Sequence, residues 1–320
     1  MLGVALAARP NTLGKPRSKS LWHRIVAARV LLFMLLPGFA LVLIFNYGPM
    51  YGLLMAFQDF QVTKGIWGSP WVGLKHFEEF FKNPMAVNAL QNTLLISALK
   101  LIFGFPAPIL LALLFNELRD GLFKRASQTI SYMPHFVSWI VFSALVTAML
   151  SPSTGVVNQI IKLLGLKPIY FMANPPWFRV VLVASEIWKE IGWGAIIYLA
   201  ALTDIDPTLY EAAVVDGATR LQRMLYISIP SVLPIAALLL ILRLGGIMSA
   251  GFDQVFNMYN ATVYETADII DTFVYRSGLT NLQYSFAAAV GFFKSVVGLV
   301  LVLAVNEVAR RLSDRYYALW

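Results

Sequence analysis

Long apolar runs alternate with polar segments along the whole chain. Six runs have the composition of membrane spans: 30–45, 94–115, 132–150, 180–202, 232–250 and 286–305. The first continues into the apolar stretch "NYGPMYGLLMAF". Each run is close to the roughly 20 residues that a helix needs to cross a hydrocarbon core about 30 Å thick. The pattern therefore predicts an all-α integral membrane protein with six transmembrane helices.

Composition excludes a soluble globular protein. Hydrophobic residues make up 58% of the 320 residues and charged residues 13%, whereas soluble domains have about 45–50% apolar and about 25% charged residues. The chain has no cysteine, which excludes a disulfide framework, a thiolate metal site and a cysteine nucleophile.

Lysine and arginine are distributed unevenly between the segments that join the runs. If the N-terminus is cytoplasmic, the inside segments carry 14 of these residues and the outside segments carry 6. Because cytoplasmic segments of membrane proteins are enriched in Lys and Arg, both termini are predicted to be cytoplasmic. The net charge of +8 is then a signal of membrane topology and not of nucleic-acid binding. The inside segments are 1–29, 116–131, 203–231 and 306–320, and the outside segments are 58–91, 151–178 and 251–285.

These boundaries divide the chain into three parts. Residues 1–29 are predicted to be a basic cytoplasmic segment, 30–310 a transmembrane domain, and 311–320 a cytoplasmic tail. The chain has no internal repeat, although many transporters carry two related halves in one chain. We therefore expect a second subunit to supply the other half of a transport pathway.

The inside segment 203–231 contains the signals of a short capped helix. Asp206 can accept hydrogen bonds from the first helical amides, Pro207 suits the first helical position, and Gly217 can adopt the left-handed conformation that ends a helix. We predict a helix over 207–216, followed by a second helix that leads back into the membrane. By spacing alone, an ordinary amphipathic loop would fit the same residues.

The same segment resembles the signature loop of the membrane subunits of type I ATP-binding-cassette importers. That signature is E-A-A, three residues, G, nine residues, then I, any residue and L-P. Here it reads "EAA", "VVD", Gly217, nine residues and "ISIP", with Ile229 in place of the commoner leucine. The resemblance implies a cytoplasmic coupling helix that docks on a separate ATPase subunit. The residues that would form or shape this contact are Glu211, Ala212, Ala213, Asp216 and Gly217.

A second resemblance covers nearly the whole chain. Stretches such as "GSPWVGLKHFEEFF", "QTISYMPHFVSWIV" and "SEIWKEIGWGAIIYLAALTDIDPTLYEAA" look like the polysaccharide and complex-oligosaccharide branch of the carbohydrate importers, to which the first permease of the alginate importer belongs. This resemblance implies that the chain forms half of a heterodimeric channel in the bacterial inner membrane. The substrate would be an oligo- or polysaccharide, a class that includes acidic sugars such as alginate.

The resemblance also implies the partners of the chain. They are a second related permease, a pair of ATPase subunits and an extracellular or periplasmic solute-binding protein, besides the sugar and membrane lipid. ATP and magnesium would bind to the ATPase partner. The chain itself is therefore expected to be a non-catalytic subunit that holds no cofactor.

Ionisable side chains inside the predicted spans are candidates for the substrate pathway, because a charge in the hydrocarbon core is costly. Glu186, Lys189 and Glu190 lie at i, i+3 and i+4 and share a helix face, so Lys189 can pair with a carboxylate. We expect this cluster to form an ion pair between subunits or to contact sugar hydroxyls. Arg243, which precedes two glycines, is expected to pack between helices or to contact the substrate.

Four further residues in the spans are candidates for the same pathway. Lys100 and Lys294 would supply positive potential to an anionic sugar. Trp188 and Trp193 offer aromatic faces to a sugar, although aromatic residues are also common as packing and interfacial anchors in membrane helices. The glycines on both sides of Trp193 would let a ligand or another backbone approach its ring.

The chain lacks the motifs of several other functions. It has no P-loop, since "LGKPRS" lacks the first glycine and the final Ser or Thr, and its three scattered histidines have no metal-ligand spacing. A secondary transporter or channel would explain the spans and their charges but not the segment 207–230. A membrane-embedded enzyme would need a set of catalytic residues that the sequence does not show.

Overall fold

The computed structural model describes residues 28–312. Within that range the chain is helical apart from turns, connecting segments and an isolated β-bridge between Gln58 and Trp71. The prediction of an all-α protein is therefore confirmed for these residues. The basic segment predicted at 1–29 and the tail predicted at 311–320 lie almost entirely outside the described residues.

The helices are numbered here in chain order. They are α1 (Arg29–Val42), α2 (Gly65–Gly68), α3 (Lys75–Lys82), α4 (Pro84–Gly104), α5 (Pro106–Glu117), α6 (Leu122–Tyr132), α7 (Trp139–Met149), α8 (Val156–Leu163), α9 (Pro175–Thr203), α10 (Pro207–Val215), α11 (Arg220–Arg223), α12 (Ile229–Gly245), α13 (Phe252–Met258), α14 (Tyr264–Ala267), α15 (Ile270–Tyr275) and α16 (Tyr284–Leu312). Short 3-10 segments are Gly48–Phe57, Met133–Phe136 and Ala261–Val263, and π turns are Leu43–Tyr47, Met224–Ser228 and Arg276–Thr280.

The chain divides into two compact units after Gly52. The described part of the first unit contains α1, a π turn and the beginning of the 3-10 segment Gly48–Phe57. Its side chains are almost all apolar, as expected for a membrane span. The second unit begins at Leu53 and contains the remaining helices.

Four continuous helical stretches of the described chain are long and apolar enough to cross a membrane: Arg29–Phe57, Pro84–Glu117, Arg220–Gly245 and Tyr284–Glu307. A fifth candidate is the bent pair Leu122–Phe136 and Trp139–Met149. The predicted run 180–202 lies in α9, whose 29 residues include four charged ones and which is therefore less uniformly apolar. The composition of these helices supports four or five spans, and the sixth stays a prediction.

The predicted span 132–150 is not a straight helix. The helical axis turns by 109° between Leu122–Phe136 and Trp139–Met149. Pro134 lies in the 3-10 segment before the turn. Ser138 then has an extended backbone, and its Oγ accepts a hydrogen bond from the amide of Val141 at 3.5 Å, which begins α7 as a separate helix. A proline and an N-cap in succession explain why the apolar run does not form one helix.

Helix α9 lies at the centre of the second unit and packs against α4, α5, α6 and α12. Glycines allow two of these approaches, because a Cβ atom on Gly192 would lie 1.9 Å from the carbonyl oxygen of Ser131, and one on Gly194 would lie 2.9 Å from Cγ of Pro108. The space beside the two glycines that flank Trp193 is therefore filled by neighbouring helices of the same chain. This close packing brings the charged face of α9 against α4, α12 and the bend before α7.

Candidate functional site

The first candidate site is the exposed helix α10, and its two ends are fixed by its own sequence. At the N-terminus, Oδ1 of Asp206 accepts a hydrogen bond from the amide of Thr208 at 2.9 Å, and Pro207 occupies the first helical position. The amide and hydroxyl of Thr208 lower the pKa of the Asp206 carboxyl by hydrogen bonding to its charged form. The predicted N-cap is therefore confirmed.

At its C-terminus, α10 ends in a Schellman motif. Gly217 has φ of +78°, its amide donates to the carbonyl of Val214 at 3.0 Å, and the amide of Ala218 donates to that of Ala213 at 2.9 Å. These bonds satisfy two carbonyls that the end of the helix leaves free. The predicted left-handed glycine is confirmed, and the helix ends at Val215 because Asp216 is the capping residue.

The capped helix exposes most of its surface. Among the residues predicted to contact an ATPase, Ala213 is partly buried, and the others, Glu211, Ala212, Asp216 and Gly217, are exposed. Val215 is 87% exposed and Leu209 and Val214 are exposed as well. A capped helix that leaves apolar side chains uncovered by the rest of the chain has the character of a docking element.

The chain returns to the membrane through a second capped turn. The hydroxyl of Thr219 accepts from the amide of Gln222 at 3.3 Å, while the Gln222 side chain accepts from the Thr219 amide at 2.8 Å, which forms a capping box. Helix α11 then runs into the π turn Met224–Ser228 and on into α12. We call residues 206–228 the coupling bracket, after the coupling helix that the sequence resemblance implies.

The second candidate site is a cavity of about 390 Å³ between α4, α5, α9 and α12. Apolar side chains form most of its wall, and its polar residues are Lys100, Glu186, Glu190, Trp193, Tyr198 and Arg243. The cavity therefore collects five of the eight residues predicted for the substrate pathway, which are Lys100, Glu186, Glu190, Trp193 and Arg243.

Glu186 holds two cations at the wall of this cavity. Its carboxylate forms an ion pair with Nζ of Lys100, and its Oε1 lies 3.7 Å from Nη2 of Arg243. Lys100 also donates to the carbonyl of Ala250 at 2.7 Å and to the side chain of Gln254. Buried charges need such partners, so the group links α4, α9 and the segments around α12 and α13.

The neighbouring residues of α9 hold the bend before α7. Lys189 is buried and donates to the carbonyls of Pro134 at 3.2 Å and His135 at 2.6 Å, and its Nζ lies 3.7 Å from Oε1 of Glu190. Oε2 of Glu190 lies 2.7 Å from Nδ1 of His135. The His135 ring stacks on Trp193 with a centroid distance of 4.4 Å and an interplanar angle of 1°. The expected pairing of Lys189 with a carboxylate is therefore present within this chain.

Three predicted pathway residues lie outside the cavity. Lys189 serves the bend, and Trp188 lies against Phe142 and lines a separate apolar cavity of about 360 Å³. Lys294 of α16 pairs with Asp271 of α15. These three were grouped with the others because all lie within predicted spans, and sequence periodicity carries no information on which neighbouring helix they face.

The four cations proposed for the pathway are each paired with a carboxylate: Lys100 and Arg243 with Glu186, Lys189 with Glu190, and Lys294 with Asp271. Lys100 and Lys294 therefore do not supply the uncompensated positive potential that their positions suggested. His135 is a site residue that sequence reasoning missed, since its partners come from α9 and no local motif marks it. In the described range no cluster of His, Asp and Glu could hold a metal ion.

Comparison with known proteins finds a matching family and relatives that are similar over most of their length. Residues 104–314 match the family model described as "Binding-protein-dependent transport system inner membrane component". The polygalacturonan/rhamnogalacturonan transport system permease protein YteP of Bacillus subtilis is 45% identical over 300 residues, which are 94% of each chain. Protein LplB of the same organism is 45% identical over 284 residues, 89% of each chain.

The fold also matches a solved transporter. The crystal structure of a bacterial ABC transporter involved in the import of the acidic polysaccharide alginate contains a chain with a TM-score of 0.85 and 46% identity, over 92% of this chain and 100% of that one. A second structure of a bacterial alginate ABC transporter, in complex with an alginate pentasaccharide-bound periplasmic protein, matches with a TM-score of 0.85 and 45% identity.

Proposed function

This chain belongs to the family of binding-protein-dependent transport system inner membrane components, and we propose that it is a permease subunit that forms half of the translocation channel of an ATP-driven oligo- or polysaccharide importer. Its extensive similarity to a permease protein of a polygalacturonan/rhamnogalacturonan transport system and to a chain of an alginate importer supports this substrate class. The family is one of transport components, so the chain acts by moving substrate and not by catalysis.

The proposed topology is multi-pass, with six spans and both termini cytoplasmic. The sixth span is α9, because its charged residues are satisfied by α4, α12 and the bend and need not contact lipid. The excess of Lys and Arg in the predicted inside segments supports the orientation. The coupling bracket then lies in the cytoplasm of the bacterial cell.

The proposed partners are those that half of an ATP-driven sugar channel needs. A second related permease completes the pathway, a solute-binding protein delivers the sugar from outside, and a pair of ATPase subunits binds ATP and magnesium. The chain's similarity to a transporter solved with a sugar-loaded periplasmic protein supports the delivery step.

The single observation that carries this proposal is the exposed helix α10, capped at both ends between two membrane helices. We assign Glu211, Ala212, Ala213, Asp216 and Gly217 to the contact with the ATPase. Closure of the ATPase dimer around ATP would move the bracket and shift the channel between two states that expose the cavity to opposite sides.

The sugar pathway is proposed to include the cavity wall formed by Glu186, Glu190, Trp193 and Arg243. Carboxylates and a guanidinium group can hydrogen-bond to sugar hydroxyls, and the indole ring of Trp193, which is 44% exposed, can contact a pyranose face. Lys189 supports this wall from outside the cavity through its ion pair with Glu190, whereas Trp188 and Lys294 contact Phe142 and Asp271, which do not line it. The cations and carboxylates of the wall balance, so positive charge for an acidic sugar would come from the second permease.

The proposal is tested by purifying the chain from its native membrane in mild detergent and identifying what accompanies it. We expect one related permease and two copies of an ATPase, and ATP-dependent sugar uptake after reconstitution with the binding protein. Recovery of the chain alone or as a homo-oligomer, with sugar uptake that requires no ATP, would contradict the assignment and favour a secondary transporter.

A further inference from the structure

Tyr210 is the large side chain of α10 that faces the protein. Tyr210 is partly buried, whereas Leu209 and Val214 of the same helix are exposed. Its hydroxyl lies 2.8 Å from Oγ of Ser228, at the other end of the coupling bracket. This hydrogen bond therefore joins the exposed helix directly to the start of a membrane helix.

Ser228 is buried at the start of a membrane helix, so the loss of its hydrogen-bond partner would be costly. It is 1% exposed and is the last residue of the π turn Met224–Ser228, immediately before α12. A buried hydroxyl that loses its partner cannot turn to bulk water, so the pairing is costly to break. π turns within helices are rare and occur often at functional positions.

Helix α12 continues from this bond to the cavity. Arg243, near its far end, lines the cavity and pairs with Glu186. With a rise of 1.5 Å per residue, the helix carries a displacement at Ser228 over about 22 Å to Arg243. The bond thus stands at the beginning of a continuous helical path from the exposed surface to the cavity wall.

The covalent connections of α10 are less direct. One passes through the residues 204–206 to α9, and the other passes through the left-handed Gly217 to α11. Backbone joints can absorb a rotation of α10 by changing their dihedral angles, whereas a hydrogen bond to a buried side chain holds two elements at one separation.

We propose that Tyr210 is a positioning residue that transmits movement of the exposed helix to α12 through its hydrogen bond with Ser228. This inference rests on the proposed function, in which an ATPase moves α10. Loss of the hydroxyl would leave α10 able to dock but would let it rotate without moving α12, so ATP would be hydrolysed with less sugar transported.

The first test uses reconstituted transporter and measures sugar taken up per ATP hydrolysed. The variants are Tyr210→Phe, Ser228→Ala and the double variant. The control is Tyr226→Phe, because Tyr226 is in the same bracket, is 77% exposed, and its hydroxyl forms no hydrogen bond within the described residues. We expect the ratio to fall about threefold to tenfold in either single variant, the factor that one ordinary hydrogen bond contributes to an equilibrium.

The double variant separates transmission from a structural effect. If the two hydroxyls act only as a pair, the double variant is no worse than the worse single variant, while recovery of the assembled complex stays at the wild-type level. A wild-type ratio for Tyr210→Phe would overturn the proposal. So would a double variant whose loss equals the product of the two single losses.

A second measurement needs no ATPase and keeps this inference separate from the proposed function. Amide hydrogen exchange of residues 207–228 is compared in the isolated chain in lipid nanodiscs. We expect exchange to be about threefold to tenfold faster in Tyr210→Phe and unchanged in Tyr226→Phe. Equal exchange in Tyr210→Phe and wild type would refute the link. The proposed function would be refuted instead if the wild-type transporter, reconstituted with the proteins that copurify with it and with the binding protein, showed no ATP-driven uptake.

Discussion

Substitution of Gly217 by valine tests whether the geometry of the coupling bracket controls the coupling of ATP hydrolysis to transport. Gly217 has φ of +78°, and nothing lies within 4 Å of the position where a Cβ atom would be. The cost of a side chain is therefore one of backbone conformation and not of steric contact. For an L-residue the left-handed conformation costs about 1–2 kcal/mol, and a β-branched side chain is especially unfavourable there.

A cost of this size changes the equilibrium between the capped bracket and a distorted one by a factor of about 5–30. Valine would leave the left-handed region and break the hydrogen bonds from the Gly217 and Ala218 amides to the end of α10. We therefore expect Gly217→Val to lower the sugar transported per ATP by about 5–30-fold, without preventing membrane insertion. Gly217→Asn is expected to retain most of the coupling, because asparagine tolerates this conformation.

Gly165 provides a matched control. It has φ of +77°, also with nothing within 4 Å of a Cβ atom, and it lies in a predicted outside segment. Gly165→Val should carry the same backbone cost and leave the transport ratio unchanged. Wild-type coupling in Gly217→Val, or equal uncoupling in Gly165→Val, would refute the reasoning, since the effect would then be absent or would reflect general destabilisation.

Three further predictions concern the two candidate sites. Glu211→Lys reverses a charge on the exposed face of α10, and we expect ATP hydrolysis without uptake; full uptake would remove Glu211 from the ATPase contact. Trp193→Ala should raise the sugar concentration for half-maximal uptake with unchanged assembly, and an unchanged concentration dependence would leave Trp193 with a packing role. Glu186→Gln leaves the buried Lys100 without its carboxylate and should lower the free energy of unfolding, measured by thermal unfolding in detergent, by about 3–5 kcal/mol. Arg243→Gln should lower it less, because the Arg243 side chain is 40% exposed. Equal losses in the two variants would contradict this account of the ion pairs.

Hydropathy predicts most of the membrane spans of this chain but not their shape. Residue composition identifies segments that belong in lipid, and five of the six predicted runs correspond to helices or helix pairs with the length and composition of spans. It could not show the 109° bend within the run 132–150, because an average over a window does not register the proline and the capping serine that interrupt the helix. It also ranks α9 below the others, although the charges of α9 are satisfied by neighbouring helices.

The caps of the helix in the coupling bracket could be predicted from the sequence. Asp206, Pro207 and Gly217 act on amides and carbonyls only a few residues away, so their identities and spacing were enough to predict a capped helix and the place where it ends. The hydrogen bond between Tyr210 and Ser228 could not be predicted, because it depends on how α10 folds back against the π turn.

The partners of the charged residues were decided by the tertiary structure alone. The helical period correctly predicts that Glu186, Lys189 and Glu190 share a face and that Lys189 can reach a carboxylate, because these positions are adjacent on one helix. The period contains no information about the helices opposite. Only the packing of α9 against α4, α12 and the bend before α7 turns Glu186 to Lys100 and Arg243, and Glu190 to His135. Composition and local motifs thus determine that this is a helical membrane protein with a short helix capped at both ends, whereas long-range packing determines which charges meet and where a cavity remains between them.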